Sequence, residues 1–211
     1  MIQIKNAAEL QKMRKACAIS AAALKAGGEA IEPGITTAEI DKIIYDFIVR
    51  HGARPNFLHL YGFPATACIS VNDTVIHGIP NKQQQIRPGD IVSIDTGCKI
   101  DGFNGDNACT YACGKIDLEA QRLLDVTKES LHRGIEMACG GNRVGDIGHA
   151  VQSYVEENGF SVVRTFVGHG VGKELHEDPE VPNFGNAGRV RVWCRACALP
   201  LSRWYASTST R

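Results

Sequence analysis

The chain has 211 residues, 44% of them apolar and 22% charged, with 23 basic and 23 acidic side chains. That length supports a substantial core in one large domain or two small ones, and zero net charge excludes a field drawing it to nucleic acid or anionic membrane. No run approaches a membrane span, and Met1-Ile2-Gln3-Ile4-Lys5 lacks the regions of a secretory signal, which points to the cytoplasm.

Asn6 with Glu9, and Thr36 with Glu39, have the spacing of capping boxes, so helices are expected to start there. In the second of these helices Ile40, Ile43, Ile44, Phe47 and Ile48 form one apolar face, and Gly52 stops it. Strands are expected over 65–72, 90–98 and 103–113, with Pro88-Gly89-Asp90 turning into the second and Asp101-Gly102 joining the last two as a hairpin. Two more helices are predicted over about 117–139 and 144–158, where Ile147, Val151 and Val155 supply the buried stripe. Helices and antiparallel strands in separate runs give an α+β fold class.

A weak duplication runs through these elements at an offset of 107 residues. Leu24 falls on Leu131, Gly27 on Gly134, Gly34 on Gly141, Ile40 on Ile147, Ile44 on Val151, Phe47 on Tyr154, Ile48 on Val155 and Gly52 on Gly159. Two related halves explain it, because two copies are too few for a solenoid. Helical periodicity alone is the competing explanation.

If Asp101-Gly102 is a two-residue loop, Ile100 pairs with Phe103 and Asp95 with Ala108. Asp106 then lies on the face of Asp95 and diagonal to it, roughly 7–8 Å away at the backbone. Two carboxylates so placed can share metal ions, whereas a three-residue loop would put them on opposite faces. Asp95 follows Ile91, Val92 and Ile94, and a carboxylate in so apolar a strand is costly unless a cation or hydrogen bonds compensate.

Further along, glycines flank His169 in Phe166-Val167-Gly168-His169-Gly170-Val171-Gly172, and His176 lies seven residues beyond it. Glycines there allow close backbone approach, and neutral imidazole is a common metal ligand. His77 follows two apolar residues in Val75-Ile76-His77-Gly78-Ile79-Pro80, while His51, His59, His132 and His149 have no such context. Of the eight cysteines, Cys17, Cys68, Cys98, Cys109, Cys113 and Cys139 are dispersed through helix-like and strand-like segments, as expected of reduced thiols.

The stretch from Phe63-Pro64 to Pro80, the pair Asp95 and Asp106 in D-T-G-C-x5-N-G-D, and G-H-G-V-G-x3-H-E-D-P-x-V-P resemble bacterial type I methionine aminopeptidases over residues 1–189. The resemblance implies the pita-bread fold, with two pseudo-twofold halves, and a pair of divalent metals (Co, Mn, Fe or Zn) held by two Asp, one His and two Glu. It implies Asp95, Asp106 (bridging) and His169 as ligands, His176 and His77 as the histidines that contact substrate, and His176 as support for the oxyanion. Phe63 and Cys68 fall where the family forms its methionine pocket. The implied activity is removal of the first methionine from nascent polypeptides by metal-activated water, near the ribosome, by a monomer with no nucleic-acid specificity.

The resemblance stops near residue 190. No Asp or Glu follows Glu180, so the two expected glutamates have no match, and residues 190–211 hold both tryptophans, Trp193 and Trp204, among arginines. Trp193 to Tyr205 can be back-translated so that another frame reads V-P-G-M-x-x-A-I-E-P-M-V, the pattern the family carries there. A frameshift and a natural divergent tail are the two explanations, and on the first Cys194-x-x-Cys197 is an accident of reading frame. The expectation is a domain over 1–189, incomplete at its end, a non-family tail over 190–211, and an inactive, poorly folded chain. A proline-directed aminopeptidase or dipeptidase of the same fold, and a non-catalytic protein on the same scaffold, are the competing functions.

Overall fold

The computed structural model describes residues 2–190 and the backbone of 206–207. In chain order the elements are α1 (Ala7–Glu29), α2 (Thr37–Arg50), β1 (Arg54–Pro55), a 3-10 turn (Leu60–Gly62), β2 (Ala67–Val71), β3 (Ile91–Ile100) and β4 (Phe103–Ala112). They continue with α3 (Leu118–Met137), α4 (Val144–Glu157), β5 (Ser161–Val162), β6 (Gly168–Gly170), β7 (Glu177–Val181) and β8 (Ala206–Ser207). The expected α+β class is what forms. Trp193, Cys194, Cys197, Trp204 and most of the 190–211 tail lie outside the described residues.

These elements divide into two units. One comprises Ala7–Asp117 with Gly172–Leu175; the other comprises Met1–Asn6, Leu118–Val171 and the chain from His176 onward.

In the first unit α2 begins where the sequence places it. Thr36 accepts from the Glu39 amide, and the Glu39 carboxylate accepts from the Thr36 amide at 2.8 Å, a complete capping box. Its stripe Ile40, Ile44 and Ile48 is fully buried and packs with Leu24 of α1, Ile69 of β2 and Val92 and Ile94 of β3. A Cβ at Gly27 would come within 2.7 Å of Ile44 Cδ1, so the absence of a side chain there lets the two helices close. β3 is the central strand: β4 runs antiparallel along one edge over its whole length, and β2 and β1 follow one another along the other.

The second unit repeats the helix pair. α4 spans Val144–Glu157, displaced from Thr37–Arg50 by 107 residues at both ends (144 − 37 and 157 − 50). Ile147, Val151 and Val155, the counterparts of Ile40, Ile44 and Ile48, form its core with Val126, Phe160 and Val162. The turn glycines correspond as well: Gly34 and Gly141 have φ of 98° and 104°, and Gly52 and Gly159 have 73° and 77°. Periodicity does not demand that agreement, because left-handed turn positions lie outside the helices; the duplication explains it. The chain after β7 returns along α4, where the Asp146 carboxylate accepts from the Gly188 and Arg143 amides, both at 2.6 Å. Those two amides hold the Asp146 carboxyl below the usual carboxylate range, the Gly188 amide most strongly. The sheets of this unit are the short pairs β5–β8 and β6–β7.

Candidate active site

Asp101 and Gly102 have φ of 52° and 83°, as a two-residue type I′ hairpin turn requires. Ile100 therefore pairs with Phe103, Asp95 with Ala108, and Gly97 with Asp106. Since directly opposed residues share a face and faces alternate along a strand, Asp95 and Asp106 stand diagonally on the same side of the hairpin. Both are buried, at 5% and 3% exposure, which is costly for carboxylates without a cation or hydrogen bonds nearby. Cys68 pairs with Asp95 across β2–β3 and is also buried, so the pocket residue implied by the resemblance shares the carboxylates' face.

Two thiols at the hairpin, Cys17 and Cys98, are poor nucleophiles. Burial, followed by the Asp106 charge, pushes the Cys17 thiol up, although the Asp106 backbone amide opposes the rise. Burial and then Cys17 push Cys98 up to about 12. The described cysteines are all free thiols, and thiols so shifted stay protonated at neutral pH.

The loop that follows β2 and carries His77 is anchored to the edge of that strand. Ile69 donates its amide to Gly78 O at 2.9 Å, and the Gly78 amide donates to Ser70 Oγ at 3.1 Å. A Cβ at Gly78 would lie 2.1 Å from Ile69 O, so no other residue allows this approach. His77, one residue before, is exposed with φ of 57°, and Phe63 is half-buried just after the 3-10 turn. Asp41 Oδ1 accepts from the Thr66 and Ala67 amides at 2.9 and 2.8 Å and so fixes the start of β2. Partial burial raises the Asp41 carboxyl, and those two amides oppose the rise. Asp41 was not singled out from the sequence, where nothing local points to the Thr66 and Ala67 amides.

In the second unit His169 lies in β6 and is 8% exposed. Its Nδ1 is 2.8 Å from Gly170 O. A carbonyl only accepts, so Nδ1 carries the proton and Nε2 presents its lone pair, the tautomer suited to a metal. The His176 ring lies 4.3 Å from the His169 ring, inclined by 63°, and is exposed. Between them, Gly172–Leu175 belongs to the first unit: Asn104 Nδ2 donates to Gly172 O and Lys173 O, both at 2.9 Å. Asn104 stands in the N-G-D motif, yet only the structure reveals this role.

The expected residues are thus gathered in two sets. Asp95, Asp106 and Cys68 share one sheet face, with Phe63 just before β2 and His77 on the loop after it, and His169 and His176 form an edge-to-face pair in the other unit. Among the described residues no three His, Cys, Asp or Glu side chains form a metal cage by themselves. The donor chemistry nevertheless suits a divalent cation in kind: two buried carboxylates on one sheet face of the first unit, and in the second a buried imidazole whose Nδ1 faces a carbonyl. The two glutamates implied by the resemblance have no counterpart, because residues 181–211 contain no Asp or Glu.

The sequence profile of metallopeptidase family M24 matches residues 11–192. A methionine aminopeptidase of Clostridium perfringens is 53% identical over 189 residues, 90% of this chain and 76% of that protein. The crystal structure of methionine aminopeptidase from Thermotoga maritima superposes with a TM-score of 0.92 at 40% identity, covering 94% of this chain and 80% of that one. The prolidase of Pyrococcus horikoshii, at 22% identity and a TM-score of 0.80, shares the fold alone. The pita-bread expectation holds, and family membership implies divalent metal as cofactor. The chain belongs to metallopeptidase family M24 and, within it, to the methionine aminopeptidases.

Proposed function

We propose that the protein hydrolyses the first peptide bond of Met-peptides, releasing the N-terminal methionine of nascent polypeptides in the cytoplasm. The observation that carries this reading is the hairpin register that sets buried Asp95 and Asp106 on one face. Asp95, Asp106 and His169 Nε2 would supply three of the ligands to two divalent ions, the two glutamates coming from the restored frame, and this oxygen-rich set with one imidazole suits Mn, Fe, Co or Zn. Such ions, when bound, would supply an activated water and a Lewis acid for the scissile carbonyl. His176 donates to the oxygen that gains charge as the carbonyl is attacked, and His77 contacts the substrate. Phe63 and Cys68 line an apolar slot for the unbranched thioether. The prolidases found share only the fold, so the proline-directed alternative loses its support.

We further propose a peptidase domain over 1–189 and a tail over 190–211 that arises from a changed reading frame, motivated by the acid-free, Trp- and Arg-rich composition there. Expression of this chain beside a form with the alternative frame restored tests both readings. The restored form is expected to release methionine from Met-Ala peptides, to lose that activity to a chelator and to give more soluble protein. Equal turnover and metal content in the two forms would refute the frame reading. No turnover in a folded, metal-loaded restored form would refute the peptidase reading.

A further inference from the structure

We propose that Lys5 is a positioning residue: its ion pair with Glu177 holds the β6–β7 turn that sets His176 beside His169. Lys5 is 7% exposed, and its Nζ lies 2.5 Å from Glu177 Oε2 and donates to Gln3 O at 2.9 Å. The side chains of the pair are 5% and 6% exposed. A lysine is rarely so buried unless it is paired, and both charges lose their water, so neither stays in place without the other. The pair joins the N-terminal arm to a residue 172 positions away, within the same unit.

Glu177 occupies a particular place in the β6–β7 ladder. His169 pairs with Glu180 and Gly170 with Glu177, so one step along β6 spans three on β7, and the register shifts there. Gly170 makes the close approach possible, since a Cβ on it would lie 2.8 Å from Glu177 O and 2.4 Å from Asp178 O. Glu177 is both the first residue of β7 and the chain neighbour of His176, whose ring meets the His169 ring at 4.3 Å. Anchoring the Glu177 carboxylate therefore fixes where the backbone leaves β7 and delivers His176. A core pair with only a general stabilising role would support all of the unit equally; this one is placed to act on the two histidines.

The test uses the full chain with Lys5→Met, Lys5→Arg, Glu177→Gln and the reversed pair Lys5→Glu with Glu177→Lys. Hydrogen exchange of the amides of 168–170 and 177–181 is measured against those of α3 and α4. Lys5→Met and Glu177→Gln are expected to speed exchange in β6–β7 at least tenfold and to leave α3 and α4 within twofold. Lys5→Arg and the reversed pair are expected to restore most of the protection. The catalytic consequence rests on the peptidase reading, and in the restored-frame enzyme Lys5→Met is expected to lower kcat at least tenfold with KM little changed. Exchange that rises equally in α3, α4 and β6–β7, or that does not change in β6–β7, would overturn the proposal, as would an unchanged kcat. Should Lys5→Met fail to fold, Glu177→Gln decides by the same criteria. A folded, metal-loaded restored-frame enzyme without peptidase turnover, but with the expected exchange pattern in the variants, would refute the peptidase reading and leave the anchoring of β6–β7 standing.

Discussion

The two helix pairs of the molecule share a register and differ in how they are finished. α2 and α4 start and stop 107 residues apart, and the buried stripe of each occupies equivalent positions. The sheets beside them diverge. The first unit has a hairpin of two ten-residue strands with β1 and β2 along one edge, and the second has described strands of two to five residues. The helix starts also diverge, since Thr36 gives α2 a reciprocal cap while its counterpart Arg143 has no side-chain acceptor to offer. In both halves the apolar stripe and the turn glycines persist. What has changed is where polar groups are placed, and the buried carboxylates lie in one half while the paired histidines lie in the other.

Matched core substitutions would break this comparison most severely. Ile40 and Ile147 are equivalent and fully buried. Their replacement by Ala is expected to cost about 2–5 kcal/mol each, from lost burial and the cavity left behind. Equilibrium denaturation of Ile40→Ala and Ile147→Ala checks the equivalence, and a near-zero effect for either would show that its stripe does not carry the unit. The caps are expected to have smaller effects and to sharpen the contrast. Thr36→Ala should cost about 1 kcal/mol, because it removes the acceptor for the Glu39 amide. Arg143→Ala keeps the backbone amide that donates to Asp146, so its cost should be clearly smaller in the same denaturation series.

What was legible in the sequence had local causes. The Asp-Gly turn sets the hairpin register, and that register alone brings Asp95 and Asp106 to one face. Helix ends at Gly52 and Gly159, and the capping box at Thr36, are likewise written within a few residues. Long-range pairings with no periodic signature were not legible. Nothing near Lys5 announces Glu177, and nothing near Asp41 announces the amides of Thr66 and Ala67. Nor does anything near 172–175 announce that Asn104 and Lys99 donate to its carbonyls. The exposure of His77 and His176 also escaped the reading, since an imidazole carries no hydropathy pattern of its own.

The central claim is that Asp106 serves the metal and His176 serves the substrate, and one measurement separates these roles. Metal titration by calorimetry, paired with steady-state release of methionine, is made on the restored-frame enzyme and on its Asp106→Ala and His176→Ala variants. Asp106→Ala should lose metal and activity together. His176→Ala should keep its metal and lose about 10²–10³ in kcat, the loss expected for one hydrogen-bond donor to a developing oxyanion. Full activity with metal retained in Asp106→Ala, or metal lost in step with activity in His176→Ala, would contradict the account.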